Sequence, residues 1–199
     1  MSDISTHYGG SILAMIGKDH IALVNDKRLG TGPITVNTSF SKIYQLNSKL
    51  LFGFTGLYSD SQILFKKIRK NYNLFVLEHN REMEPKELSN MISYILYTKR
   101  LQPYYVTCIV CGISSDNTPF ISGMDCIGAK DDSNEFVTAG TASKNLFGLC
   151  EALFEPGMDE DTLFVTAVQA FLNSVDRDAL SGWGCECFIV GKNELKKKR

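Results

Sequence analysis

Gly10-Ser11-Ile12-Leu13-Ala14-Met15-Ile16, a turn at Gly17-Lys18-Asp19-His20, and Ile21-Ala22-Leu23-Val24-Asn25-Asp26-Lys27-Arg28 form the stretch that decides the fold. Two short apolar runs flank a polar turn. The pair Gly9-Gly10 precedes the first run, and polar Asn25, Asp26, Lys27 and Arg28 end the second. Apolar runs of this length, bounded by turn formers, read as a β-hairpin.

Working outward, residues 43–46 and 50–55 read as a second strand pair joined at Asn47-Ser48, so four strands come first. The period then changes. Leu64, Ile68 and Tyr72 recur at helical spacing, and so do Leu88, Met91, Ile92, Ile95 and Leu96 after Pro85. Strands are predicted again at 105–113, 120–124 and 136–139, helices at about 142–153 and 159–175, and a last strand at 185–190. Asp159 is the expected N-cap of the final helix. On that helix Leu163, Ala167, Ala170 and Ser174 make one small or apolar stripe, and Phe164, Val168, Phe171 and Val175 make another. So wide an apolar surface predicts cover from more than one side, by a layered domain or by a partner subunit. Segregated runs of strands and helices argue for an α+β fold. A four-layer αββα sandwich, two stacked antiparallel sheets between two helix layers, uses every element.

The chain of 199 residues is expected to form one domain, with 44% hydrophobic and 22% charged residues and a net charge of -1. That balance exerts no overall pull toward nucleic acid or an anionic membrane, and neither is expected as a partner. No run reaches the roughly 18 apolar residues of a membrane helix. Residues 1–10 carry no apolar signal core, so the six cysteines are expected as thiols in a reducing compartment, cytoplasmic and nuclear. Cys108 and Cys111 make a C-x-x-C pair, but on a strand they face opposite sides and cannot share a zinc ion. Cys185 and Cys187 share a face with no histidine near in sequence, so buried thiols are the better reading. Lys196-Lys197-Lys198-Arg199 ends the chain. Such a run can be a nuclear address or a nucleic-acid patch; a solvated terminus is the plainer expectation.

The opening hairpin resembles the start of proteasome beta-type subunits, which belong to the N-terminal-nucleophile hydrolases. Their pattern is a small residue, an apolar strand, and a second apolar strand ending in Asp-x-Arg. Leu51-Phe52-Gly53-Phe54-Thr55-Gly56 matches their next block, Val137-Thr138-Ala139-Gly140-Thr141-Ala142-Ser143 the turn before their third helix, and Asp176-Arg177-Asp178-Ala179-Leu180-Ser181-Gly182 the loop before their last strand. Residues 102–105, 150–156 and 172–182 point to one subtype within the family. The resemblance covers nearly the whole chain and implies the αββα fold. It divides the sequence into an unprocessed extension at 1–9, a beta-type domain at 10–192 and a basic tail at 193–199.

In active members a self-cleaved N-terminal threonine attacks the substrate carbonyl, and its own amine or a lysine moves the proton. Carried over residue by residue, the family's aspartate falls on Asp26 and its lysine on Lys42. The glycine whose N–H helps hold the oxyanion falls on Gly56, the supporting serine on Thr141, and the later pair on Asp178 and Ser181. The nucleophile falls on Gly10, which has no side chain to attack with. The expectation is therefore a non-catalytic subunit, with Asp26, Arg28 and Lys42 kept as a network that holds strands.

The alternative is an active hydrolase using Ser11 or Thr6. Ser11 lies one residue on, roughly 3.3 Å along the strand and on its opposite face, away from Lys42. Thr6 reaches Lys42 only if the chain folds back. No cofactor is required on this reading. The resemblance adds one candidate cation site, a magnesium-like ion on carbonyls at Val175, Asp178 and Ser181; the plainer reading is a turn between helix and strand. The partners implied are other beta subunits in a seven-membered ring, alpha-ring subunits, the opposite beta ring and unfolded polypeptide in the chamber.

Overall fold

The computed structural model describes residues 4–192 and 194–198. The opening hairpin is β1 (Ser11–Ile16) and β2 (Ile21–Asp26), antiparallel with Ile16 opposite Ile21. The Gly17 N–H closes the turn onto the His20 carbonyl at 2.8 Å. Both strands are buried along their whole length, which explains their unbroken apolar runs. Leu13, Met15, Ala22 and Val24 face one helix layer, while Ile12, Ala14, Ile16, Ile21 and Leu23 face the other sheet.

The remaining elements are β3 (Leu29–Thr31), β4 (Ile34–Asn37), β5 (Ile43–Gln45), β6 (Leu50–Gly56), α1 (Tyr58–His79), α2 (Pro85–Tyr97), β7 (Val106–Ile113), β8 (Pro119–Met124), β9 (Lys130–Ser133), β10 (Phe136–Gly140), α3 (Ser143–Leu153), α4 (Glu160–Val175), β11 (Cys185–Val190) and β12 (Leu195–Lys198). One sheet runs β10-β1-β2-β11-β12 and the other β5-β6-β7-β8-β9. Helices α3 and α4 cover the first sheet through Leu146, Cys150, Leu163, Ala167 and Phe171. Helices α1 and α2 cover the second through Leu64, Ile68, Leu88, Ile92 and Leu96 against Phe52, Phe54 and Val110. The result is the expected αββα sandwich, two antiparallel sheets between two helix layers.

The helix ends follow local chemistry. Pro85 occupies the first turn of α2, with a reciprocal capping box between Glu84 and Glu87. The Asp159 side chain accepts from the Thr162 N–H at 3.2 Å and starts α4. Asn80, left-handed at φ 52°, ends α1. Of the two stripes predicted on α4, Leu163, Ala167, Ala170 and Ser174 are buried, and Phe171 and Val175 join them. Phe164 and Val168 are half-buried.

Three strand features depart from expectation. The ribbon β3–β4 follows the first hairpin, so six strands rather than four precede α1. Its Ile34 and Val36 alternate with polar Thr35 and Asn37, yet they point to solvent, so the ribbon adds no side chain to the core. β9 is an edge strand of charged residues. Within the basic tail, Leu195–Lys198 form a strand, β12, that pairs antiparallel with β11, Leu195 opposite Val190, while Lys196 and Lys197 keep exposed side chains. Backbone hydrogen bonding creates β9 and β12, and it leaves little hydrophobic trace in a sequence.

The cysteines sort by face as the strand period requires. Cys108 points to the α1–α2 layer and Cys111 to the space between the sheets. Cys150 and Cys187 lie in the α3–α4 core, with half-buried Cys185 packed against it. Among the described residues no three His, Cys, Asp or Glu side chains gather as a metal site. Burial pushes the Cys108, Cys150 and Cys187 thiols up to about 12, and Cys111 higher still. A raised thiol pKa contributes stability that is complete below the unfolded value of 9.0 and is lost as pH climbs toward 12. Unfolding midpoints are therefore expected to fall steadily above about pH 9. A maleimide at neutral pH should label only Cys126 and Cys185 in the folded chain, read by mass; fast labelling at Cys108 or Cys111 would contradict the packing.

Candidate functional site

One end of the sandwich gathers the residues singled out in the sequence. Gly10 leads into β1, Asp26 ends β2, Lys42 precedes β5, Gly56 ends β6, Thr141 follows β10, and Asp178 and Ser181 lie in the loop from α4 to β11. Each sits where a strand or helix gives way to a loop, so six distant segments meet at one cleft.

Asp26 and Lys42 form its buried charged centre. Lys42 Nζ lies 2.8 Å from Asp26 Oδ1, with side-chain exposures of 5% and 0%. The ammonium also donates to the carbonyls of Asp26 at 3.1 Å and Arg28 at 2.7 Å, so its three protons have acceptors. Asp26 accepts from the Ser11 N–H at 2.9 Å and from the N–H groups of Arg28 and Gly182, each at 3.2 Å. Burial lowers the Lys42 pKa, and the Asp26 charge opposes that shift without cancelling it.

Arg28 joins this network through its backbone, and its carbonyl accepts from Lys42. Only its backbone N–H meets the Asp26 carboxylate. Its guanidinium donates to the carbonyls of Leu180 at 2.8 Å and Gly32 at 2.7 Å and to Thr35 Oγ1 at 3.0 Å. The side chain lies so close over Gly30 that a Cβ there would come within 2.3 Å of it. Arg28 thus clamps the β3–β4 ribbon to the loop before β11.

A second network runs through hydroxyls. Ser181 Oγ donates to Asp178 Oδ2 at 2.6 Å, and Thr141 Oγ1 donates to the same oxygen. Ser181 Oγ also lies 2.9 Å from Thr141 Oγ1 and from Ser11 Oγ. Ser11 Oγ in turn accepts from the Ala142 N–H at 2.9 Å. Ser11 therefore belongs to this network, on the strand face away from Lys42, as its position one residue past Gly10 demands. The link from Ser11 to Ser181 was not legible in the sequence, because the two are 170 residues apart.

Gly10 explains itself through backbone and space. Its φ is +106°, and a Cβ built on it would lie 2.2 Å from Lys42 Cε and 3.0 Å from Nζ. The lysine stem fills the place where a side chain would stand. Gly9, at φ +68°, could bear no Cβ either, since that atom would lie 2.1 Å from the Leu180 carbonyl oxygen. Both residues need a left-handed backbone that glycine alone adopts without strain.

The N-terminal segment does fold back. A 3-10 turn at Ile4–Thr6 leads to Tyr8, and the His7 and Tyr8 carbonyls accept from Gly32 and Gly30 at 2.8 and 3.1 Å. Ser5 and Thr6 consequently line a cavity of about 210 Å³ together with Gly10, Gly56 and Thr141. Thr6 reaches the cleft, but the Lys42 ammonium is already bonded to Asp26 and Arg28.

At the Val175, Asp178 and Ser181 positions, the Asp178 carboxylate and Ser181 hydroxyl are turned into the hydroxyl network, and the Val175 carbonyl accepts from the Asp178 N–H at 2.9 Å. The side-chain oxygens are spent inside the cleft. They do not fit a cation site, and only the backbone carbonyls could serve one.

Comparison with known proteins agrees with this geometry. A family model described as "Proteasome subunit" matches residues 6–190. The chain is 43% identical to "Proteasome subunit beta type-3" of Saccharomyces cerevisiae, over 100% of this chain and 97% of that one. It is 40% identical to "Probable proteasome subunit beta type-3" of Schizosaccharomyces pombe, over 98% and 96%. The type-3 subunit of Oryza sativa subsp. japonica matches at 40% over 98% and 95%. With the αββα sandwich, the glycine-led first strand and similarity along almost its whole length, this chain belongs to the proteasome subunit family.

Proposed function

We propose that this chain is a non-catalytic, type-3 beta subunit of the proteasome core. It contributes to the architecture of the particle and to the chamber in which unfolded polypeptides are degraded. The observation that carries the reading is Gly10. The residue at the nucleophile position has no side chain, a φ of +106°, and the Lys42 stem packed where a Cβ would go. Oxyanion donors and a lysine without an attacking group cannot form an acyl-enzyme. The Asp26–Lys42 pair then serves to tie β1, β2 and β5 together.

The rival nucleophiles are poorly placed for the task. The Ser11 N–H is bonded to Asp26, its hydroxyl to Ser181 and the Ala142 N–H, and the residue is fully buried opposite Gly140. Freeing its amine would still leave its hydroxyl in the Ser181 network, on the strand face away from Lys42. On this reading residues 1–9 stay attached, because Gly10 offers no hydroxyl to attack the Gly9 carbonyl.

Assembly is supported by apolar side chains that this chain cannot cover itself. Leu77 is 75% exposed, Tyr94 72% and Leu101 92% on the α1–α2 side, while Val165 and Leu172 face outward from α4. Contacts with ring neighbours, alpha-ring subunits and the opposite beta ring would cover them, each face matching a different subunit. No cofactor is needed for such a role, and an ion at the loop before β11 would rest on carbonyls alone. The same reading puts the chain in the cytoplasm and nucleus.

The test is the intact mass of this chain in its native assembly, with and without an inhibitor that captures N-terminal nucleophiles. A chain still carrying residues before Gly10, with no added mass, is the expected result. A chain beginning at Ser11 or Thr6 and bearing one adduct would overturn the proposal.

A further inference from the structure

The basic C-terminal run is the charged motif that neither the cleft nor the core uses. In β12 it lies in a cradle made by the chain's own flank. Lys196 Nζ sits 2.9 Å from both carboxylate oxygens of Glu160. Lys197 pairs with buried Glu186 at 2.8 Å and stands over the Phe188 ring at 4.9 Å. Lys198 stands over the Phe164 ring at 4.3 Å, with Asp161 at 3.9 Å. The backbone is extended and paired with β11 along one edge.

Carboxylates interleaved with aromatic faces, along an extended main chain, are what a protein groove uses to read a run of lysines. The body of this chain supplies that chemistry in cis. We propose that the run beginning at Lys196 is a recognition element for an acidic, aromatic-lined protein groove of the kind found on nuclear import receptors. Docking of β12 masks it, and release of the strand exposes it.

Release is local. β12 is a short strand at the edge of its sheet, paired on one side only, and such elements open without global unfolding. Its pairs with Glu160 and Asp161 involve lysines that are 45% and 35% exposed, where solvent screens them. The pair with Glu186 is the firm one, because that carboxylate side chain is 4% exposed. A receptor must compete with this cradle, so its apparent affinity falls by the fraction of chain with β12 undocked. The inference does not depend on whether the cleft is active.

The test measures binding of an armadillo-repeat import receptor to the full chain in its native assembly, at physiological salt. The wild type is compared with Glu160→Gln/Asp161→Asn, which loosens the cradle at half-buried Glu160 and exposed Asp161 and leaves the basic run intact. The loosened variant should bind about 3- to 10-fold more tightly, the ratio expected from losing two exposed ion pairs. Its Leu195–Lys198 amides should exchange faster by a similar factor. Lys196→Ala/Lys197→Ala/Lys198→Ala should abolish binding. Equal affinity of the wild type and the loosened variant would show that the cradle masks nothing. Unchanged binding by the triple alanine variant, or no binding by any form, would show that the run is not read.

Discussion

Gly10→Thr yields no protease and a damaged subunit. The substitution restores the family's nucleophile in name, yet residue 10 has a φ of +106° and its Cβ would overlap Lys42 Cε at 2.2 Å. A β-branched residue in that conformation costs about 1–3 kcal/mol in backbone strain. Relieving the overlap requires the Lys42 stem to move, and a move that breaks its buried pair with Asp26 costs about 3–5 kcal/mol more. The combined loss, about 4 kcal/mol or greater, exceeds what most surface or conservative changes inflict. The measurements are the yield of assembled particle carrying the variant and the mass of the chain after exposure to a nucleophile-directed inhibitor. Low yield and no adduct are expected. A well-assembled variant that loses residues 1–9 and takes up one inhibitor would mean that the backbone at Gly10 relaxes freely and that the cleft is complete apart from its hydroxyl.

Asp26 and Lys42 should respond unequally to truncation. Asp26→Ala removes the counter-charge of a buried ammonium and three backbone partners at once, those of Ser11, Arg28 and Gly182. A loss of about 3–5 kcal/mol is expected, moderated because burial already lowers the Lys42 pKa and the lysine can shed its proton. Lys42→Met keeps the volume of the stem and leaves Asp26 with its three N–H donors, so about 1–3 kcal/mol is expected. The double variant Asp26→Ala/Lys42→Met should be less damaged than the sum of the singles by about 1 kcal/mol or more, since the two groups are in direct contact. Denaturant titration of the four species closes this cycle. Strict additivity would show that the pair carries no coupling and that the cleft is held by the Ser11–Ser181 network alone.

Much of this fold was legible because its core strands lie between two covered faces. Residues 11–16 and 21–24 are continuous apolar runs bounded by polar turns, and that pattern survives in one dimension. The helices declared themselves through Leu64, Ile68 and Tyr72 and through Leu163, Ala167 and Ala170, spaced at the helical period. What escaped were elements held by backbone hydrogen bonds and charges: the β3–β4 ribbon under Arg28, β9, and β12 on its carboxylates. A short polar strand at an edge buries little, so composition does not mark it.

The candidate site divides along the same line. The positions 10, 26, 42, 56, 141, 178 and 181 came from the family resemblance carried over residue by residue, and the face of Ser11 followed from the two-residue period of a strand. That Gly10 lacks a nucleophile is a property of the sequence alone, since no conformation supplies a missing hydroxyl. Only the tertiary structure decided that Lys42 fills the space above Gly10, that Arg28 clamps a ribbon instead of pairing with the Asp26 carboxylate, and that Thr6 turns back into the cleft. The physical reason is range. Helical and strand periods are set by neighbours a few residues apart, whereas a contact such as that of Ser11 with Ser181 spans 170 residues and exists only once β1 has joined the sheet of β11 and the loop before β11 has packed.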